Sequence, residues 1–329
     1  MKLRNLTVAL AALVSIAAQA ATSLDLGNYR VSGTYGLDVL AGTSGGISGL
    51  EASAVAYARD RGSLFFVGDE GTGVVEVSLT GQTLGKMAFD WTGTGSTKHD
   101  TEGLTYLGGG VLVVGEERLF DAYRFNYVNG GTARLADAAV SLSDANVGNN
   151  GMEGISYDPR GAGSFVAIKQ QDPQDILAGN LSFAAGLAGV SNVTTLFDPA
   201  LMGLATLSDV QTLSPVDALA GTAAADNLLV LSLGSRKLVE VTRTGQVLSS
   251  FDLSGVLPQN AIEGVTVDEK GTIYLVAEQI QDGILPPNPQ SQLIVLTAAV
   301  PEPETWGMML AGLGLLGAAA RRRQRAGQR

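Results

Sequence analysis

Five acidic residues recur along the chain at nearly even spacing, and each one opens a short apolar segment with the pattern of a β-strand. The steps between them are 51, 51, 56 and 54 residues. The period suits one four-stranded blade of a β-propeller with roomy loops. Because blades close into a ring, equivalent residues converge on one axis, and the spacing predicts that these five carboxylates do so. The five acids are Glu51, Glu102, Glu153, Asp209 and Glu263.

A ring of carboxylates needs some compensation for its charge. Two carboxylates about 5 Å apart repel by roughly 3 kcal/mol at an effective dielectric near 20. The ring must therefore splay into water, protonate or bind a cation. The chain has no cysteine and one histidine, so zinc and copper would lack their usual ligands. Calcium accepts six to eight oxygen ligands and is the cofactor that we expect, with these five acids as its ligands.

A second interpretation of the same repeat needs no metal. Each carboxylate would accept backbone N–H groups of the innermost strand, and the repetition would reflect repeated architecture alone. Asp209 fits a metal ring least well, because its side chain is shorter and no glycine follows it. Both interpretations are open at this point.

The sequence contains no complete catalytic set. The single histidine, His99, directly precedes Asp100-Thr101-Glu102 and would act as a general base beside a calcium-bound substrate, or it is simply a loop residue near the channel mouth. The absence of a catalytic set favours a non-catalytic binding or structural module. A calcium-dependent hydrolase of the phosphoesterase or lactonase type is the alternative, on analogy between propellers, which is a weak argument because fold does not fix function.

Strand signals within each repeat predict an all-β fold with four antiparallel strands per blade. The stretch from Glu263 to Ala299 is too short for a full blade, so we expect residues 24–50 to complete the last blade and close the ring. The predicted fold is a five-bladed propeller, with six blades as the alternative. Residues 175–190, rich in Ala, Gly and Leu, are interpreted as an irregular insertion.

Both termini carry the pattern of processing signals. Residues 1–20 have a basic start, an apolar stretch and the small-residue cleavage pattern Ala18-Gln19-Ala20, which predicts a signal peptide. Residues 21–299 are then the propeller domain and residues 300–329 a tail. The tail contains a short apolar segment, 306–320, followed by an arginine cluster. A plain membrane anchor with cytoplasmic arginines is one interpretation of that segment.

The tail also resembles the PEP-CTERM sorting signal of Gram-negative bacteria. The core residues Val300-Pro301-Glu302-Pro303 match that signal, and the apolar span and arginines follow in its order. The resemblance implies processing by an exosortase, transient anchoring in the inner membrane through the tail alone, and delivery to the outer surface or the extracellular medium. It further implies extracellular matrix or polysaccharide as a partner.

The charge of the domain argues against polyanionic partners. Without Lys2, Arg4, the five tail arginines, Glu302 and Glu304, 14 of 21 basic and 30 of 32 acidic residues remain, a net charge near −16. So acidic a surface argues against nucleic acid and anionic lipid and favours cations or cationic groups.

Residues 45–296 resemble the SdiA-regulated domain family. The motifs that carry the resemblance are 102–106 with 113–118, 151–154, 231–238, and 262–265 with 273–278. The resemblance implies an exported β-propeller of ill-defined biochemical role. Family members tend to have an acid after the second strand of the third blade, where this chain has Lys169-Gln170-Gln171. A second acidic ring through Glu117 and Glu278 is therefore expected to be incomplete.

Overall fold

A computed structural model describes residues 23–37, 51–143, 147–278 and 290–299, together with a few positions of the tail (312–314, 316, 317 and 321). The predicted signal peptide and most of the 306–320 segment lie outside these residues. Within the described part of the chain, no helix is long and apolar enough to cross a membrane.

Among the residues that the structure describes, twenty-one strands form five sheets arranged as the blades of a propeller. Strand β1 is Tyr29–Gly36. Blade 1 consists of β2 Ala52–Ala58, β3 Ser63–Gly68, β4 Gly73–Val77 and β5 Thr83–Asp90. Blade 2 consists of β6 Thr101–Gly108, β7 Val111–Glu116, β8 Asp121–Asn126 and β10 Ala139–Ser141, and β9, Thr132–Arg134, pairs in parallel with β5 of blade 1. Blade 3 consists of β11 Met152–Asp158, β12 Ser164–Lys169, β13 Asp175–Ser182 and β14 Val190–Thr195. Blade 4 consists of β15 Asp209–Thr212, β16 Leu228–Ser232, β17 Lys237–Val241 and β18 Val247–Asp252. Blade 5 consists of β19 Ile262–Val267, β20 Ile273–Ala277, β21 Gln292–Ala298 and β1.

Short 3₁₀ helices occur in the connections between strands. They span Leu26–Asn28, Leu135–Asp137, Ala185–Leu187, Pro199–Met202, Asp217–Leu219 and Ala223–Asp226. None carries a residue of the site described below.

The ring closes as the sequence predicts. Strand β1 pairs antiparallel with β21, from Tyr29 opposite Ala298 to Gly36 opposite Gln292. The N-terminal segment is also held to blade 4, because the buried carboxylate of Glu240 accepts the N–H of Leu24 at 3.0 Å and the hydroxyl of Ser23 at 2.5 Å. The prediction of five blades, closed by an N-terminal strand, is confirmed.

The prediction of an irregular insertion at residues 175–190 is wrong. Strand β13 occupies the first half of that stretch and is the third strand of blade 3, paired with β12 on one side and β14 on the other. Its Ala- and Gly-rich composition has low strand propensity. Pairing on both edges supplies the hydrogen bonds that make it a strand despite that composition.

The apolar core is divided among the boundaries between blades. Five buried clusters occur, and each combines side chains of two adjacent blades. Every blade packs on its neighbour in the same manner, so the first strands of the five blades, β2, β6, β11, β15 and β19, surround the axis in one orientation. Their N-terminal ends lie together at one end of the axis, which we call the acidic end.

Candidate metal centre

Three of the five predicted acids occupy the same place in their blades. Glu102, Glu153 and Glu263 each lie at the start of the innermost strand, at an interruption of its ladder with the second strand. Such a β-bulge leaves one residue outside the ladder and redirects its side chain. The three glutamates are the bulged residues, and this is why they converge on the axis.

Glu51 does not occupy that place. In blade 1 the register shifts between Ala52 and Ala54, so Ser53 is the residue equivalent to the three glutamates. Glu51 lies two residues earlier and corresponds to Asp100 of blade 2. Even spacing along the sequence therefore does not mean equal register for this acid.

Asp209 lies one residue after the position that is equivalent to the three glutamates. The N–H of Tyr157 donates to the hydroxyl of Thr105 in the preceding blade, and the N–H of Thr212 donates in the same way to Ser156. Thr212 is thus the equivalent of Tyr157, which places Ser208, not Asp209, level with the glutamates. The prediction that the five acids hold equivalent places is wrong for Glu51 and Asp209.

The carboxylate of Asp209 joins two blades through the backbone. It is buried, with 2% exposure, and accepts the N–H of Val210 and the N–H of Val265 in blade 5, both at 2.7 Å. Burial raises the pKa of Asp209, while the two hydrogen bonds act in the opposite direction. For this acid the geometry matches the interpretation in which the carboxylate accepts backbone N–H groups and binds no metal.

The glycines that follow the glutamates have a packing role. A Cβ on Gly154 would lie 2.8 Å from the Cα of Asp209, and a Cβ on Gly264 would lie 2.8 Å from the carbonyl oxygen of Ser53. At Gly154 and Gly264 the neighbouring innermost strand approaches too closely for a side chain. The repeated Glu-Gly pair therefore combines a carboxylate that points to the axis with a residue that allows close packing.

A second tier of acids lies beside the first. It comes from the residue after the second strand in blades 1, 2, 3 and 5, whose N–H donates to the carbonyl two residues before the bulge. The four residues at this place are Asp69, Glu117, Gln170 and Glu278. The glutamine confirms that this tier is incomplete, and Asp69 is a member that the sequence analysis missed.

The two tiers and their neighbours form one network of interacting carboxyl groups. Close carboxyl pairs are formed by Asp69 with Glu51, by Glu117 with both Asp100 and Glu153, and by Glu278 with Glu263. Glu102 is influenced by Glu153 and Glu263, and Glu70 lies beside Asp69. We call this set the acidic cluster, and its members are Glu51, Asp69, Glu70, Asp100, Glu102, Glu117, Glu153, Glu263 and Glu278.

The densest part of the acidic cluster lies where blade 1 meets blade 2. Carboxylate oxygens of Asp69, Asp100 and Glu102 all lie within 4.8 Å of one another, and so do those of Glu51, Asp69 and Glu70. Asp69 belongs to both groups. Oxygen donors at this separation, all from carboxylates, form a set of the kind that a hard divalent cation accepts.

Five members of the acidic cluster have raised pKa values. Burial, reinforced by neighbouring carboxyl groups, raises the pKa of Asp69 to about 9, that of Glu117 to about 7 and that of Glu278 to about 11. The same causes raise the pKa values of Glu102 and Glu153 well above the ordinary range. Arg118 lies 2.7 Å from Asp100, yet these upward shifts persist. In the absence of metal, protons neutralise part of the acidic cluster.

His99 packs against the protein beside the acidic cluster. Its ring stacks on that of Trp91, with 4.9 Å between centroids, and its backbone has a positive φ of 62°. Both rings line a cavity of about 650 Å³ that also contacts Glu70. The stack fixes the orientation of the imidazole at the wall of this cavity.

Fold and site together define a five-bladed β-propeller with an acidic cluster at one end of its axis. Residues 32–279 match the SdiA-regulated family, and residues 299–323 match the PEP-CTERM protein-sorting motif. The chain belongs to the SdiA-regulated family.

Two solved structures are similar to this chain. Myxococcus xanthus glutaminyl cyclase is 12% identical, with a TM-score of 0.50 over 83% of this chain and 97% of that one. A luciferin-regenerating enzyme is 11% identical, with a TM-score of 0.46 over 80% of this chain and 95% of that one. At these identities the similarity to the cyclase shows the fold alone.

Proposed function

We propose that this protein is an exported propeller that binds calcium at its acidic end and acts as a non-catalytic binding or structural module at the cell surface or in the extracellular matrix. The observation that carries the proposal is the approach of Asp69, Asp100 and Glu102 to within 4.8 Å, inside a larger network of carboxyl groups. A divalent ion there would replace the protons that the metal-free cluster holds.

The ligand set that we propose differs from a symmetrical ring. Asp69 and Asp100 join Glu102 as the nearest donors, Glu51 and Glu70 extend the set on the blade 1 side, and Glu153 and Glu263 supply charge from across the axis. Asp209 is outside it, because its carboxylate already binds backbone N–H groups. Calcium tolerates such an irregular arrangement, whereas magnesium demands near-ideal octahedral geometry.

The sorting motif supports the location that we propose. With the motif at residues 299–323, an exosortase would hold and process the tail, and the propeller would leave the inner membrane for the outer surface or medium. A matrix polysaccharide is the partner that we propose there. The strongly acidic domain makes nucleic acid an unfavourable partner.

A calcium-dependent hydrolase is the second candidate, and one observation favours it. The cavity of about 650 Å³ beside Glu70 presents the stacked His99 ring next to the proposed metal ligands. Calcium would polarise an ester or phosphoester oxygen, and His99 would accept the proton of the attacking water.

The two candidates can be separated on the purified protein. We expect calcium to raise the melting temperature and a chelator to reverse the effect, since a ligand of the native state stabilises by about 2.7 kcal/mol at a hundredfold excess over its Kd. Glu102→Gln should weaken calcium binding at least tenfold in isothermal titration calorimetry. Asp137→Asn, at an exposed site paired with Arg134, is the matched control.

Activity assays complete the design. No turnover of ester, lactone or phosphoester substrates with calcium present supports the non-catalytic role, while turnover that is lost in both Glu102→Gln and His99→Ala supports the hydrolase. Identical melting curves with and without calcium, together with no bound metal by mass spectrometry, would refute the metal proposal.

A further inference from the structure

The opposite end of the axis contains a cavity of about 640 Å³. It is lined from all five blades, at the C-terminal ends of the innermost strands. Its volume falls within the range of small-molecule sites, about 300–1,000 Å³. The acidic cluster lies at the N-terminal ends of the same strands, so the two sites use different residues.

Three tyrosines form the aromatic part of the wall. Tyr57, Tyr106 and Tyr157 each lie four residues after the axial position of their blade and line this cavity. Each ring packs against an aromatic ring of the core. Tyr106 stacks with Phe65, with 5.8 Å between centroids, and Tyr157 contacts Phe165 at 5.1 Å. The rings are therefore fixed before any ligand arrives.

Two carboxylates belong to the same cavity. Asp60 accepts the hydroxyl of Tyr106 at 3.0 Å and the N–H of Gly109 at 3.2 Å, and the carboxylate of Glu269 lies close to the hydroxyl of Tyr57. Arg59 also lines the cavity, but its guanidinium binds Asp217 through two bonds of 2.9 Å. The net charge of these four groups, three carboxylates and one guanidinium, is −2.

Thr266 and Gln211 of the inner wall are already bonded to each other and to the backbone. The hydroxyl of Thr266 accepts the N–H of Tyr57 and bonds the amide oxygen of Gln211, both at 3.1 Å. The amide nitrogen of Gln211 donates to the carbonyl of Thr212 at 2.8 Å. A polyhydroxylated ligand would lose its bonds to water here and find few replacements. An anion would meet the two carboxylates.

We propose that this cavity binds a compact organic cation, of the quaternary ammonium or protonated amine class. Aromatic faces attract such a cation through their quadrupoles, and Asp60 and Glu269 add opposite charge without a need for directional hydrogen bonds. The net negative charge of the domain raises the local concentration of cations. Binding at this site is independent of calcium at the acidic end.

A pair of ligands with the same shape and different charge tests the proposal directly. Choline and its neutral isostere 3,3-dimethylbutan-1-ol are titrated into the protein by isothermal titration calorimetry at low ionic strength, each with and without chelator. We expect choline to bind at least tenfold more tightly than the alcohol, with no effect of chelator. Equal affinities, no heat from choline, or saturable binding of glucose or maltose without choline binding would overturn the proposal.

Variants locate the site. Glu269→Gln keeps the shape of the wall and should weaken choline binding at least fivefold, and Tyr157→Leu should do the same by removing a π-face. Asp137→Asn, an equal loss of charge outside the cavity, should leave the affinity unchanged. Melting curves of each variant establish that it is folded. If Asp137→Asn weakens choline binding as much as Glu269→Gln does, the effect is that of overall charge and the proposed site is wrong.

The same titrations separate this proposal from the calcium proposal. Choline binding in the presence of chelator, without any response to calcium, would support this site and refute the metal centre. Calcium binding without a response to choline would refute this site and support the metal centre.

Discussion

The carboxyl groups of Glu153 in blade 3 and Glu117 in blade 2 face each other closely enough to share a hydrogen bond. A bond of this kind requires a proton on one partner. Burial and neighbouring carboxyl groups raise the pKa values of both residues, so the pair retains a proton. The pair shows how the acidic cluster is stabilised when no metal is bound.

Replacing Glu153 by glutamine should preserve this bond. The amide donates to Glu117 as the protonated carboxyl does, so we expect a change in unfolding free energy within about 1 kcal/mol at pH 7. Glu153→Leu has a similar volume without a donor and should destabilise by about 1–3 kcal/mol. Urea unfolding measures both. Equal losses in the two variants would show that the proton bond does not contribute.

The stability of the metal-free protein should fall as pH rises. A carboxyl whose pKa is higher in the folded state binds more protons there than in the unfolded chain, so its contribution is present at low pH and lost as pH passes the folded value. The values of about 7 for Glu117 and about 9 for Asp69 set the window. We therefore expect the melting temperature in chelator to decline from pH 5 to pH 9.

With calcium present, we expect the melting temperature to rise with pH over the same range. Because metal ligands must be deprotonated, calcium binding near pH 6.5 should release protons, visible as a dependence of the measured heat on the ionisation enthalpy of the buffer. A melting temperature in chelator that rises between pH 5 and pH 9 would contradict the assignment of protons to the acidic cluster.

Asp209 should matter for stability and not for calcium. Asp209→Ala leaves the buried N–H groups of Val210 and Val265 without their acceptor, at a cost of about 1–3 kcal/mol each. We expect a loss of about 2–5 kcal/mol in unfolding free energy and an unchanged calcium affinity, in contrast to Glu102→Gln. A large loss of calcium affinity in a folded Asp209→Asn variant would return this residue to the metal site.

Gly154 should not tolerate a side chain. Gly154→Ala places a Cβ 2.8 Å from the Cα of Asp209, and the resulting shift of strands should cost about 1–3 kcal/mol. Gly255→Ala is the control, because a Cβ there has no neighbour within 4 Å. Similar melting temperatures for the two variants would mean that the innermost strands can separate freely.

The architecture could be predicted from the sequence because it depends on repetition. A period near 50 residues, four strand signals per repeat and the incomplete last repeat indicate five blades and closure by β1. The stretch from Asp175 was misinterpreted because its composition has low strand propensity, and tertiary pairing with β12 and β14 decides its structure.

The site could be predicted only in part. Glu102, Glu153 and Glu263 were identified correctly as axial, but a β-bulge shifts register without any sequence marker, so Glu51 and Asp209 were aligned by spacing alone. Asp69 was missed because it follows a strand and precedes what resembles a simple turn. The similarity of Val67-Gly68-Asp69-Glu70 to Val114-Gly115-Glu116-Glu117 marks an acidic pair in both blades, but it is one residue out of register with the structural equivalence of Asp69 and Glu117.

Anomalous diffraction from crystals grown with calcium tests the central claim most directly. We predict a calcium peak at the acidic end, with carboxylate oxygens of Asp69, Asp100 and Glu102 at about 2.3–2.6 Å. Crystals of the Glu102→Gln variant should lose or weaken that peak under the same conditions. The absence of a peak at the acidic end at saturating calcium would contradict the account.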